Sequence, residues 1–291
     1  MRLRAGAGSA TFGETPARCA PMVPTADLDP VAPFIQVREL RKSFGQQEVL
    51  RGLNLQIGRG ETWVLLGGSG AGKSVLLKHL LGLLMPDSGQ VIIEGNDLTG
   101  HNERQLGSVR RRIGMLFQGG ALFDSLTVAE NVAFPLRERG LLKDREIRDR
   151  VKEVLEMVKL GDAAEKMPAD LSGGMRKRVG LARAVVERPA AVLFDEPHAG
   201  LDPVTADTID HLIKDLQLEH GITNIVVTHE MRSVFRIADR VAFLQDGMLH
   251  WSGTVADFAN TNDPILRAFI AGDSGGSWEK AANFDVSPEQ I

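Results

Sequence analysis

The sequence predicts an α/β fold: a mostly parallel sheet covered on both faces by helices, with a smaller antiparallel sheet before it. Three observations lead there. After residue 61, short apolar runs that read as buried strands alternate with helical stretches. Before it, Ile35–Leu40, and Val49–Ile57 in part, alternate apolar and polar residues, the pattern of strands with one buried face. Between a predicted strand and a predicted helix lies the glycine-rich octapeptide Gly67–Ser74.

In chain order, residues 1–33 contain prolines 16, 21, 24, 30 and 33 among Ala, Gly and Thr, and read as a disordered leader. Arg2 and Arg4 are followed by no continuous apolar region, so no secretory signal is expected. Folded structure is expected from Phe34. Glu61–Gly67 reads as a buried strand and Lys73–Leu84 as a helix. Val91–Gly95 is assigned to the antiparallel sheet, with Gly95-Asn96 as a turn. Ile113–Phe117 reads as a short strand ending at Gln118, and residues 125–172 as mostly helical. Within them, Ile147, Val151, Val154, Leu155 and Val158 recur on one face of a helix over Asp144–Leu160, with Gly161 as its stop. A helix over Gly174–Glu187, ended by the approach of Pro189, leads to the strand Ala191–Phe194. A helix around Ala206–Leu218 leads to the apolar run Ile222–Val227. Residues 273–291 form a polar tail with Trp278 and Phe284 as isolated anchors. No internal repeat is visible.

Composition narrows the function. The 291 residues can bury a large core. With 34 basic and 38 acidic residues the net charge is -4, which argues against nucleic acid as a partner. Arg110–Arg112 and Arg176–Arg178 are local basic clusters that read as solvated faces. The single cysteine, Cys19, forms no internal disulfide and suits a reducing compartment. The most hydrophobic stretch, Val75–Met85, is interrupted by Lys78 and His79 and is too short to span a bilayer. Any membrane role is therefore expected to run through a partner.

The residues that carry chemistry handle phosphate. Gly67, Gly72, Lys73 and Ser74 occupy the fixed positions of GxxxxGKS, with Gly68, Ser69, Gly70 and Ala71 between them. Glycine lets several backbone N–H groups point inward, and the helix N-terminus adds partial positive charge. Lys73 is placed to reach the β- and γ-phosphates and Ser74 to ligate Mg²⁺. Asp195 and Glu196 follow four apolar residues at the C-terminal end of a strand, where open α/β sheets bind ligands. Asp195 suits Mg²⁺, and Glu196 suits orienting and polarising an attacking water. Ser172 resembles an N-cap, and Gly173 and Gly174 permit close approach of backbone to a phosphate.

In order, Gly67–Ser74, Gln118, Leu171–Gly174, Asp195-Glu196, Asp202 and His229 resemble the motif set of ABC-transporter ATPase domains, over roughly residues 34–272. The resemblance implies a P-loop NTPase with a RecA-like parallel sheet, an antiparallel β subdomain and an α-helical subdomain at about 119–172. It implies ATP and Mg²⁺, held in a head-to-tail homodimer between one subunit's phosphate loop and the other's Ser172–Gly174. Phe44 looks like the aromatic that stacks on adenine, a position often held by Tyr, which this chain lacks. Gln118 resembles the glutamine that touches Mg²⁺ and senses the membrane subunit, Asp202 the residue coupling the two sites, and His229 the γ-phosphate switch. Met175 departs from the usual Gln, yet ATP sandwiching is expected to survive through Ser172 and the backbone.

Phe117–Val132, Phe134-Pro-Leu and the Met175 ending look like the ATPase subunit of Mla-type, MCE-linked lipid transporters. That likeness implies a transmembrane permease, an MCE-domain protein and a STAS-like partner, with this chain peripheral on the cytoplasmic face of the inner membrane. Leu122, Phe123, Leu126 and Phe134 are candidates for a groove that receives a permease helix, or for ordinary packing. An importer of amino acids or another polar solute stays open as an alternative. A DNA- or ribosome-associated ATPase fits less well, because the 118–172 insert is too short for a long coiled coil and the motif set is single. A catalytically silent subunit conflicts with Lys73, Glu196 and His229.

Overall fold

The computed structural model describes residues 33–272; the predicted leader, apart from Pro33, and the predicted tail lie outside the described residues. The chain opens with β1 (Ile35–Phe44) and β2 (Gln47–Ile57), then β3 (Thr62–Gly67), helix α1 (Lys73–Leu80), β4 (Ser88–Ile93) and β5 (Asn96–Asp97). Next come α2 (Glu103–Arg110), β6 (Ile113–Leu116), α3 (Val128–Arg139), α4 (Asp144–Met157) and α5 (Gly173–Val185). The rest is β7 (Ala191–Asp195), α6 (Pro203–His220), β8 (Thr223–Val227), α7 (Met231–Ile237), β9 (Arg240–Gln245), β10 (Met248–Thr254), α8 (Val255–Ala259) and α9 (Pro264–Ala271).

Two sheets form, as the hydrophobic patterns predict. The antiparallel one runs β2-β1-β4-β5, and the larger one runs β10-β9-β3-β8-β7-β6. Every neighbouring pair in the larger sheet is parallel except β10–β9. Because strand side chains alternate, the larger sheet feeds a core on each face. Val64 and Leu66 of β3 join Val192, Phe194, Val226 and Phe243 against the helices α3–α7. Trp63 and Leu65 join Leu193, Ile225, Val227 and Leu244 against α1 and the antiparallel sheet. Each fully buried side chain of this size contributes about 1.5–3 kcal/mol of transfer free energy. At Gly247, between β9 and β10, a Cβ would lie 2.3 Å from the Val49 carbonyl oxygen, and the Arg51 N–H donates to the Gly247 carbonyl at 2.9 Å. Glycine thus lets the larger sheet touch β2.

Several boundaries differ from the pattern-based expectation, each for a local reason. Helix α1 stops at Leu80 rather than 84, because Gly82 turns the chain at φ 61°. Its neighbour Leu81 stays apolar because it is buried, not because it is helical. Helix α4 stops at Met157, and the reversal is made by Lys159 at φ 58°; Gly161 instead opens a short 3-10 turn. Helix α6 begins three residues before Ala206, at Pro203, a residue well suited to a first helical position.

The basic clusters are a larger correction. They are solvated in part: Arg111, Arg112 and Arg176 are exposed, whereas Arg110 and Arg178 are half-buried and hold carbonyl groups at chain reversals. Arg110 donates to Leu81 and Gly82 carbonyls, and Arg112 pairs with Glu94. Arg176 donates to the Leu171 carbonyl, and Arg178 to those of Val158 and Lys159. Lys177, between them, is buried.

Candidate active site

The glycine-rich loop is built as its sequence requires. Gly67 has φ 142°, and a Cβ there would lie 2.2 Å from the Leu244 carbonyl oxygen. Gly72 has φ 96°, with Leu50 Cδ2 2.6 Å from the position of a Cβ. Around this tight frame the Lys73 ammonium folds back and donates to the Gly67 and Gly68 carbonyls at 2.7 and 2.8 Å. Burial holds its pKa below the ordinary lysine value, and the carboxylates of Glu196 and Asp195 oppose that shift. Ser74 follows in the first turn of α1, its Oγ 3.5 Å from Asp195 Oδ1. Gly68, Ser69, Gly70 and Ala71 complete the loop, with the Ala71 N–H donating to the Gly68 carbonyl.

Asp195 ends β7, and Glu196 leaves the sheet with φ 49°, an uncommon backbone for a glutamate. Its N–H donates to the Val227 carbonyl at 2.9 Å, and its Oε1 lies 3.1 Å from His229 Nε2. The sheet therefore brings together Lys73, Ser74, Asp195, Glu196 and His229, which are scattered over 157 positions of sequence. A hydroxyl and a carboxylate that converge at 3.5 Å without a tight mutual bond are a hard-oxygen pair suited to Mg²⁺.

The other candidates lie outside this cluster. Ser172 caps α5, its Oγ accepting from the Met175 N–H at 3.2 Å. The two following glycines differ: Gly173 is exposed, whereas a Cβ on Gly174 would lie 2.2 Å from Thr205 Cγ2. Gly174 thus serves the packing of α5 on α6. Met175 packs against the core. Asp202 caps α6, accepting from the Val204 and Thr205 N–H groups at 3.0 Å and from Thr205 Oγ1 at 2.5 Å. Those bonds, the Thr205 hydroxyl first, hold its carboxyl below the usual range. Gln118 is exposed just beyond β6, and Phe44 is exposed at the end of β1, with Lys42 Nζ 5.7 Å from its ring centroid. Phe123 is exposed and meets Phe134 in a tilted contact with centroids 4.7 Å apart. Leu122 packs partly on the core.

Two supporting residues escaped the sequence reading. Lys177 donates to the carbonyls of Pro197 and Ala199, both at 2.6 Å, and approaches that of Glu196 at 3.4 Å. It fixes the turn that follows the catalytic strand. Asn131, fully buried, bonds both backbone groups of Phe123 and the Leu126 and Thr127 carbonyls, and so shapes the loop after Gln118. Its signal was the capping box Thr127–Glu130, which starts a helix there and points the next residue back at the loop.

A phosphate loop, two acids at the end of a parallel strand and a histidine across from them define a P-loop ATPase. The family described as "ABC transporter" matches residues 50–199. The chain is 42% identical over 240 residues to the methionine import ATP-binding protein MetN of Brucella abortus, covering 82% of this chain and 65% of MetN. It is 42% identical over 243 residues to a probable ribonucleotide transport ATP-binding protein, mkl, of Mycobacterium leprae, covering 84% and 70%. Among solved structures, cbiO1 of Clostridium perfringens, part of the ABC transporter complex cbiONQ, superposes with a TM-score of 0.74 at 31% identity, over 81% of this chain and 94% of that one. The dimeric cassette MJ0796, in a post-hydrolysis state bound to ADP and Pi, superposes with a TM-score of 0.70 at 34% identity, over 76% and 98%. The chain belongs to the ABC transporter family, and its folded domain is an ATPase of that class, using ATP and Mg²⁺. The matched stretch spans just under two thirds of MetN. No helix among the described residues is long and apolar enough to cross a membrane.

Proposed function

We propose that this chain is the motor subunit of a membrane transporter, acting as a head-to-tail homodimer beneath a transmembrane permease on the cytoplasmic side. The observation that carries this is the convergence of Lys73, Ser74, Asp195, Glu196 and His229 at one end of the parallel sheet. Lys73 and the loop N–H groups hold the β- and γ-phosphates of ATP. Ser74, Asp195 and Gln118 hold Mg²⁺, which when bound neutralises charge on the phosphate oxygens. Glu196 orients water toward the γ-phosphorus and takes its proton, as the bond to the ADP oxygen breaks. His229 meets the γ-phosphate from the opposite loop. Ser172, Gly173 and Gly174 of the second copy close over the nucleotide, Phe44 stacks on adenine, and Asp202 couples the two sites.

For cargo, the stretch 117–134 with Met175 supports phospholipid or a related hydrophobic molecule, with an MCE-domain protein and a STAS-like protein as partners. The likeness to MetN supports import of an amino acid at least as well. Tagging this chain, purifying it gently from membranes and identifying what accompanies it by mass spectrometry separates the two. A permease with an MCE-domain protein is the lipid outcome. A permease with a soluble solute-binding protein is the importer outcome, and ribosomal proteins without any permease overturn the transporter proposal.

A further inference from the structure

We propose that His198 is a positioning residue for ATP hydrolysis, tying the loop that carries His229 to the turn that carries Glu196. The proposal rests on the assignment of those two residues to the reaction. His198 lies two residues after Glu196 and is buried, as are Thr228, Asp210 and Ser233. Its Nδ1 lies 3.2 Å from Thr228 Oγ1, and its Nε2 lies 2.7 Å from Asp210 Oδ1. Thr228 immediately precedes His229, and Asp210 stands on α6. One ring therefore spans both loops whose side chains meet at the 3.1 Å contact between Glu196 and His229.

The hydrogen bonds form a single directed series. The Glu230 N–H donates to Thr228 Oγ1 at 3.1 Å. The Thr228 hydroxyl then donates to Nδ1, and Nε2–H donates to Asp210. The Ser233 hydroxyl donates to the second Asp210 oxygen at 2.9 Å, and Arg236 stands 3.6 Å from the same atom. Each group in the series has a partner. The four side chains at its centre are nearly excluded from solvent, and a pocket of about 280 Å³ opens beside His198, Asp210 and Ser233. Lys177 also donates to the Pro197 and Ala199 carbonyls of the same turn, which gives the turn a second anchor besides the imidazole. The link lost on replacing His198 is the one to the switch loop.

Two substitutions divide the ring's bonds. An asparagine amide reaches the position of Nδ1 and keeps Thr228, whereas a glutamine amide reaches the position of Nε2 and keeps Asp210. Steady-state ATP hydrolysis is measured for His198→Asn, His198→Gln, Thr228→Val and His198→Gln/Thr228→Val, with hydrogen exchange of residues 228–230 in the nucleotide-free protein. His198→Gln is expected to lower kcat by about tenfold or more with KM within about twofold, and His198→Asn to restore kcat to within about threefold of the parent. Exchange at 228–230 quickens in His198→Gln and stays near the parent in His198→Asn. The double variant loses no more than its worse single, because both remove one interaction. Equal behaviour of the Asn and Gln variants overturns the proposal, as do losses that multiply in the double variant. Failure of both His198 variants to fold does so as well, by assigning the ring to stability alone. Near-normal hydrolysis by Glu196→Gln removes the assignment of Glu196 instead, and the exchange readout does not depend on it.

Discussion

Lys73 is a buried ammonium whose hydrogen bonds end on the carbonyls of its own loop. The loop stores a cation that phosphate later receives. Because burial lowers its pKa, the charged folded form is penalised relative to the unfolded chain. Below the lowered value the penalty is constant; as pH rises from there toward the ordinary lysine value it fades. Two results are expected. Lys73→Met abolishes ATP hydrolysis, by about a hundredfold or more, without lowering the melting temperature of the nucleotide-free protein. In the parent, ATP affinity weakens on the alkaline side at a pH below the ordinary lysine range, measured by nucleotide titration across pH. A Lys73→Met protein that melts well below the parent would contradict this account. The role of Lys73 was legible because GxxxxGKS carries its own geometry. That of Lys177 was not: in Arg176-Lys177-Arg178 three cations look alike on paper. Only the arrival of residues 196–199, about twenty positions later, distinguishes the middle one.

At the scale of elements, α5 and α6 meet through one glycine. Gly174 leaves room for Thr205, which also donates its hydroxyl to the capping carboxylate of Asp202. Gly173, next to it, has Leu201 Cδ2 as its nearest neighbour, 3.9 Å from a would-be Cβ. The pair is therefore expected to separate under substitution. Gly174→Ala destabilises the domain by about 1–3 kcal/mol, because Thr205 must shift. Gly173→Ala keeps the melting temperature and weakens ATP-dependent hydrolysis. Thermal unfolding and steady-state turnover on the two variants check this. The sequence marked both glycines as one motif, since nothing local distinguishes an exposed glycine from one filled by a distant side chain. The hairpin β9–β10 is the opposite case. Asp246-Gly247, with φ 49° and 76°, is the favoured two-residue turn between a buried apolar strand and an alternating edge strand, and its signal lay in the sequence unused.

For the molecule as a whole, the larger sheet separates two cores, one with the antiparallel sheet and one with the helices. The phosphate loop and the two acids sit at the C-terminal ends of β3 and β7, while Ser172 and Gly173 lie at the start of α5 against α6. A nucleotide held by the first group leaves the second for another copy. Accordingly, Glu196→Gln with ATP and Mg²⁺ is expected to run as a dimer in light scattering, with turnover reduced about a hundredfold or more, and as a monomer with ADP. A monomer in both states would overturn the head-to-tail arrangement. The alternation of strands and helices made the parallel character of the larger sheet readable, but not its strand order. The assignment of faces to cores was not, because buried parallel strands are apolar on both sides.

The backbone at Glu196 has a consequence for how this gene can drift. A φ of 49° is tolerated by Gly, Asn and Asp, accepted by an unbranched side chain such as Gln, and resisted by Val, Ile and Thr. A silenced copy that still folds is therefore expected to carry Gly, Asn, Asp or another residue without β-branching here, as Lys159 and Arg188 do at φ 58° and 54°. Inactivation there is filtered by conformation before selection on activity acts at all.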